Sequence, residues 1–365
     1  MRAEVLVVGG GAAGASVSYL LAKRGIKVTL VERKREIGRP HHCSGILGSK
    51  AIQEMVYFDE SWVLSEVRWA SFRSPGGVTL RIEKDVPLAK VVDRRLMDKE
   101  LIELAASEGA EVLLATPFLR IEGDRAIIRG GDVSFELLIG ADGASSTVAS
   151  SAGMRPIDLE VGVNVMVDRS PGEGYEVRLV RGSWFTWWQP WGDRGKRGGL
   201  GPIGSPVIRW VGAKGQMEGG LIPRWPRKEV VRGNIALVGD SAGQVKPISR
   251  GGVYYLSRAS KSLAEAVESY FDGKGLKSYS GWWKSVIRSE VMPALAFRGW
   301  LERLHERQID KVFDYLKGHE DVLTERFDTD AQLEPAKGLG VNLFKLLSVN
   351  PRALIGALWD LVARG

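Results

Sequence analysis

The sequence predicts a mixed α/β protein in two domains with a helical C-terminal region, and three stretches predict it. Ala3 to Arg33 reads as strand, glycine turn, helix, strand and acidic residue. Residues 160 to 225 alternate at period two, with many glycines and a dense tryptophan cluster. From Tyr279 onward the pattern is mostly helical. The expected division is discontinuous. Residues 1–66, 92–158 and 228–275 form a nucleotide-binding domain, residues 67–91 and 159–227 an antiparallel-sheet domain, and residues 276–365 the helical region.

The first stretch carries the chemistry. Glu4 to Val8 is a short apolar run ending in Gly9-Gly10-Gly11-Ala12-Ala13-Gly14, a G-x-G-x-x-G on Gly9, Gly11 and Gly14. Gly9 permits the turn, Gly11 lets a pyrophosphate approach the backbone, and Gly14 lets helix and strand pack closely. The helix start offers unpaired N–H groups and a positive dipole end to that pyrophosphate. Lys23-Arg24-Gly25 closes the helix with a basic last turn and a C-cap glycine. Lys27 to Val31 is the next strand, and Glu32 after it is placed to accept from both ribose hydroxyls of an adenosine. Together these make a Rossmann-like dinucleotide site.

Bulk properties narrow the rest. The 365 residues suffice for two or three domains. Met1-Arg2-Ala3 runs straight into a strand, so no signal peptide is expected, and no run reaches the roughly 18 apolar residues a membrane span needs. A cytoplasmic protein is expected, with a peripheral place at a membrane surface as an option, since the net charge of +7 favours anionic surfaces. The charge is spread out and no nucleic-acid motif accompanies it, so no nucleic-acid partner is expected. The single cysteine, Cys43, excludes an intrachain disulfide and a cysteine-ligated iron–sulfur cluster. His41-His42-Cys43 lacks distant ligand partners, so no metal is expected.

Along the chain, Arg33 to Gly48 is an irregular loop of the kind that carries function. Strands flank Ser74-Pro75-Gly76-Gly77, a hairpin signal. A helix from about Arg95 to Ser107 precedes four runs, Val112–Ala115, Phe118–Ile121, Arg125–Ile128 and Phe135–Gly140, that read as a meander. In Trp184 to Trp191, alternation places Phe185, Trp187 and Gln189 on one face and Trp184 and Trp188 on the other, a pattern that lines a cavity. Asn234 to Val238 is a strand, and Gly251-Gly252 opens a helix to about Phe271. Asn350-Pro351 caps a last helix whose Leu354, Ile355, Leu358, Leu361 and Val362 share a face, expected to be core.

Five stretches in this order resemble a family. They are the glycine motif with Glu32, Val92-Asp93-Arg94, Ala141-Asp142-Gly143, Gly239-Asp240-Ser241-Ala242-Gly243, and Pro247 followed by Gly251-Gly252-Val253. The pattern resembles the FAD-dependent enzymes of the p-hydroxybenzoate hydroxylase fold. Within them, VGDSAGQVKPISRGGVYYLSRASKSLAEAV and the loop Gly38 to Gly45 are similar to the geranylgeranyl reductase branch. That branch carries Y-x-W-x-F-P, seven or eight residues, then G-x-G. Here it stands as Phe185-Thr186-Trp187-Trp188-Gln189-Pro190, eight residues, then Gly199-Leu200-Gly201. The departures are Phe185 for Tyr, Gln189 for Phe, Arg250 for a third glycine and Ala149 for Arg.

The resemblance implies FAD as cofactor. Gly9, Gly11, Ala13 and Gly14 would hold its pyrophosphate, Glu32 and Arg33 the adenosine end, Arg94 the diphosphate–ribose region and the backbone near Phe118 the adenine. Cys43, Ser44 and Gly45 would lie beside the flavin. Asp240 would bind the ribityl or pyrophosphate part, with Pro247, Gly251, Gly252 and Val253 at the pyrimidine edge. Phe185, Trp187, Gln189, Pro190, Gly199 and Gly201 would bind substrate.

The activity implied is reduction of isolated C=C bonds in a prenyl lipid or prenyl diphosphate. Electrons would come from an external donor, NAD(P)H or a ferredoxin-like protein. Trp187 would stand at the reacting alkene, and Cys43, a flavin-held water and Tyr254 are the candidate proton sources. Two other readings stand beside this one: an FAD-dependent aromatic monooxygenase or halogenase, and a flavin-free prenyl-binding escort.

Overall fold

The computed structural model describes residues 1–39 and 43–364; Pro40, His41 and His42 of the cysteine loop lie outside them. Its first layer is a mixed sheet with a parallel centre on the strand Arg2–Val8, which pairs with Val28–Val31 on one side and Gly131–Gly140 on the other. Ile235–Leu237 continues the sheet beyond Gly131–Gly140. The central strands are near-continuous apolar runs because both faces are covered. Val5, Leu6, Val7 and Leu30 are fully buried. The helix Ala12–Ala22 packs between Arg94–Ser107 and Val253–Phe271 over this layer. Asp93 caps the second, its Oδ1 accepting from Arg95 N at 2.9 Å.

The expected four-run meander is corrected. Its first member is Glu111–Leu113, which pairs in parallel with Val28–Val31 at the far side of the sheet. Phe118–Glu122, Arg125–Ile128 and Gly131–Gly140 do form successive antiparallel pairs. Short apolar runs announce strands but not their partners.

The second layer is a seven-stranded sheet in the order Met217–Pro223, Leu159–Val167, Arg194–Pro202, Trp184–Trp191, Gly174–Arg181, Trp69–Arg73, Thr79–Glu83. It is not purely antiparallel: Trp69–Arg73 and Gly174–Arg181, from separate parts of the chain, pair in parallel. The 69–83 hairpin turns at Ser74–Gly77 as the sequence signals. The short helix Val207–Val211 packs over Val163 and Val165 on one face. Helices Met292–Glu302, Glu306–Lys317 and Glu320–Arg326 bring Trp300, Ile309, Val312, Phe313 and Leu323 into a core with Leu80 and Ile82.

The last helix, Pro351–Arg364, departs from expectation. Its buried face is Ala353, Ala357 and Leu361, while Ile355, Leu358 and Val362 are exposed. Small residues at this interface let it lie close to Met292–Glu302: a Cβ on Gly299 would stand 3.0 Å from that of Ala357. Among the described residues, no helix is long and apolar enough to cross a membrane.

A buried ionic cluster ties the layers. Glu160 accepts from Arg250 Nε at 2.9 Å and Arg224 Nη1 at 2.7 Å, and Glu302 pairs with Arg224 and, at 3.6 Å, with Arg298. Burial alone pushes the Glu160 carboxyl up, but Arg250, then Arg224 and Arg298, outweigh it and hold it at about 2.

Candidate active site

The glycine motif builds a cradle. Gly9 has φ +106°, and a Cβ there would collide with the carbonyl of Ala141; a Cβ on Gly14 would collide with the carbonyl of Gly9. Gly11 opens onto free space at the start of the helix Ala12–Ala22, which no side chain caps. The first-turn N–H groups therefore face a cleft of about 400 Å³. Glu32 is buried behind Gly10, accepting from Gly10 N at 2.6 Å and Lys34 N at 2.8 Å. Those bonds pin the carboxylate at the cradle's edge.

At the middle of the cleft stand Arg94, Asp98 and Asp240. Arg94 pairs with Asp98 at 2.8 Å and donates from Nη1 to Cys43 Sγ at 3.3 Å. Asp240 follows a strand end, and a Cβ on Gly252 would lie 3.1 Å from its Oδ1. Among the described residues its carboxylate takes no hydrogen bond, and burial pushes it up to about 6 against the pull of Arg94. An unpartnered carboxylate in the wall of a cleft suits a hydroxyl-bearing ligand such as a ribityl chain. The uncapped start of Val253–Phe271 beside it offers further N–H groups. The donor and acceptor set fits the pyrophosphate and ribityl parts of FAD.

The loop Cys43–Gly45 is gripped by the second sheet. Gln189 Nε2 donates to Ser44 O at 2.6 Å, and Lys196 Nζ donates to Cys43 O at 3.0 Å while resting on the Trp191 ring. Burial lowers the Lys196 ammonium to about 8. Gly45 has φ +80° and sits so close to Trp191 and the Val92 carbonyl that no side chain fits. The strand following the tryptophan strand is bare where it must be: the Trp187 indole lies across Gly198.

Next to the cleft lies an apolar cavity of about 380 Å³. Its walls come from the sheet (Phe72, Leu80, Val177) and from the C-terminal helices (Phe297, Phe313, Leu346). Ser44, Ile46, Tyr175, Phe185, Lys246 and Gly251 line both spaces, so the two share a wall.

The expected residues divide accordingly. Gly11, Ala13, Cys43, Ser44, Arg94, Asp240, Gly251, Gly252 and Val253 line the cleft, as do Phe185, Trp187 and Tyr254. Tyr254 Oη accepts from Arg258 Nη1 at 3.1 Å. Others are placed differently. Arg33 is exposed, and Lys34 lines the cleft instead. Phe118 stands in a strand packed on the first core, and Pro247 is buried with its carbonyl accepting from Arg298 Nη1. Gly199 and Gly201 face Val207, Val211 and Trp210 rather than either cavity. Gln189 holds the loop, and Pro190 is buried in its strand. Asp142 caps the helix Thr147–Ser151, accepting from Thr147 N at 2.7 Å.

Sequence reasoning missed Lys196, Tyr175 and the buried pair Lys246–Asp330, whose Nζ–Oδ1 distance is 2.7 Å. Nothing in RGKRGGLG distinguishes Lys196 from its basic neighbours. Asp330 comes from a C-terminal loop with no motif, and only folding brings it to the cleft.

Comparison with known proteins agrees with this geometry. Residues 4–72 match the FAD dependent oxidoreductase family. A digeranylgeranylglycerophospholipid reductase of Methanothermobacter thermautotrophicus is 30% identical over 87% of this chain and 92% of its own. One of Methanothrix thermoacetophila is 29% identical over 88% and 93%. Among solved structures, a geranylgeranyl bacteriochlorophyll reductase-like protein of Thermoplasma acidophilum superposes with a TM-score of 0.84 at 20% identity, covering 96% of this chain and 99% of the other. A flavin-dependent brominase follows at 0.66 and 17%, covering 93% and 98%. The fold is thus that of the p-hydroxybenzoate hydroxylase-like flavoenzymes. This chain is an FAD-dependent oxidoreductase and belongs to the digeranylgeranylglycerophospholipid reductase family.

Proposed function

We propose that the protein saturates isolated C=C bonds of geranylgeranyl or other polyprenyl chains, carried on an isoprenoid glycerophospholipid or a prenyl diphosphate. The observation that carries this is the apolar cavity sharing a wall with the cofactor cleft at Tyr175 and Phe185. A long hydrocarbon fits such a space, and an aromatic acid has no use for it. Reduced FAD, when bound, supplies the hydride taken by one alkene carbon.

The chain's own residues do the remainder. The Phe185 and Trp187 rings, 5.8 Å apart, give a dry aromatic wall. Such a wall favours the cation-like charge that develops on an alkene without a carbonyl acceptor. Cys43 Sγ accepts from Arg94 Nη1 and from Gly45 N at 3.4 Å, which holds the thiol at the cleft wall. Cys43 and Tyr254, which both line the cleft, are the side chains that could supply the proton to the other alkene carbon. Electrons enter from an external donor, a reduced nicotinamide or a ferredoxin-like protein. The monooxygenase or halogenase reading draws only on likeness of fold.

The test is anaerobic. Protein reduced with dithionite is given a digeranylgeranyl glycerophospholipid, and product mass is followed beside flavin reoxidation. Two hydrogens gained per bond with matching reoxidation is the expected result. Reduced flavin that persists without saturation, on both the lipid and geranylgeranyl diphosphate, overturns the assignment.

A further inference from the structure

The last helix is built inside out. It turns its alanines inward and holds Ile355, Leu358, Trp359 and Val362 outward along one stripe, with Trp359 69% and Val362 70% exposed. Just before it, Val341 and Phe344 are 78% and 76% exposed. Ordinary burial preference would reverse this arrangement, and contiguous exposed apolar side chains mark an interaction site.

Two further observations say what covers it. The charged residues of the segment 339–362 are Lys345, Arg352 and Asp360. Asp360 is paired with Arg303 at 2.5 Å, which leaves exposed cations beside the apolar stripe. The second is continuity with the cavity. Leu339 and Leu346 line the apolar cavity from within, while Val341 and Phe344, lying between them in sequence, face outward. One thin helical layer therefore separates the chain-holding space from this surface.

We propose that residues 341–362 form a bilayer-docking face. Phe344, Ile355, Leu358, Trp359 and Val362 enter the boundary between headgroups and acyl chains of an anionic membrane, and Lys345 and Arg352 meet its phosphates. The proposal rests on the prenyl-lipid reading above, which requires access to a substrate dissolved in a membrane. A second copy of the chain is the poorer occupant. Two like surfaces bearing unpaired cations repel, and the net charge of +7 adds to that repulsion.

The test uses the FAD-loaded protein and vesicles of phosphatidylcholine with or without phosphatidylglycerol, at low salt and at about 0.5 M salt. Co-sedimentation is compared for wild type, for Ile355→Ser/Trp359→Ser/Val362→Ser, and for Lys345→Gln/Arg352→Gln. Wild type should bind the anionic vesicles. The triple variant should lose about tenfold or more in both salts, and the charge variant only the salt-sensitive part. Flavin content and turnover of detergent-dispersed geranylgeranyl diphosphate should stay unchanged in all three.

Wild type that sediments with neither vesicle overturns the proposal. So does a triple variant that binds as well as wild type, and so does a wild-type dimer that the triple variant splits while vesicles are ignored. Absence of turnover on every prenyl substrate would count against the substrate reading, and the vesicle measurement still decides the docking face.

Discussion

Lys196 Nζ donates to the carbonyl oxygen of Cys43 at 3.0 Å, with the Trp191 ring centroid 3.4 Å from the same nitrogen. The bond reaches from the seven-stranded sheet to the loop Cys43–Gly45 in the wall of the cleft. With Gln189 holding the next carbonyl, the two layers meet at two consecutive peptide groups.

Lys196→Met keeps the contact with Trp191 and leaves the Cys43 carbonyl unpaired. A buried acceptor left unsatisfied costs about 1–3 kcal/mol. The variant should bind FAD about five- to a hundredfold more weakly, read by titration of flavin fluorescence. Unchanged affinity would show that the loop keeps its shape without the lysine.

Asp240 supplies a pH-dependent prediction. Its folded-state pKa, about 6, lies above the ordinary carboxylate value because of burial, so the folded protein holds more protons than the unfolded chain in the interval between them. Stability of the flavin-free protein therefore falls as pH rises from about 4 to about 6, and the full penalty is present above that. Asp240→Asn should raise flavin-free stability at neutral pH by up to about 3 kcal/mol, with the gain vanishing toward pH 4. It should weaken FAD binding at the same time. Thermal unfolding across pH checks the first part and flavin titration the second.

Gly198 has room for no side chain under the Trp187 indole. Gly198→Val should push that ring off the cleft wall. Alkene reduction should fall about five- to a hundredfold while FAD remains bound, since overpacking of this kind costs about 1–3 kcal/mol locally. Single-turnover flavin reoxidation with substrate reports the loss, and the flavin absorbance spectrum reports cofactor retention.

What was legible in the sequence follows from range. The cradle from Gly9 to Glu32 is local, each residue acting on a neighbour within one β-α-β unit, and pattern alone exposed it. The tryptophan strand was legible in its alternation, which brought Phe185 and Trp187 to the cleft. The motif did not tell that Gln189 would reach for a backbone carbonyl, or that Gly199 and Gly201 face a helix on the far side. Lys246–Asp330 and the apolar cavity were invisible because their halves lie far apart in the chain. The last helix misled for another reason. Its expected stripe mixed two faces: Leu361 is buried with Ala353 and Ala357, while Ile355, Leu358 and Val362 point outward together with Trp359. Periodicity does not say whether protein or something else covers them.

The cluster around Glu160 bears on which parts of the molecule can move apart. Glu160 belongs to the sheet, Arg250 to the loop before the helix Val253–Phe271, and Arg298 and Glu302 to the helix Met292–Glu302. Swinging any of these apart would strip a buried charge of its counterpart, at several kcal/mol for each ion exposed to an apolar surrounding. Hinge opening is thereby made the expensive route. The sheet, the loop and the helix are thereby tied to one another, whereas the short helices Glu334–Gly338 and Asn342–Leu347 over the apolar cavity carry, among the described residues, only the partly exposed Lys337–Glu334 pair.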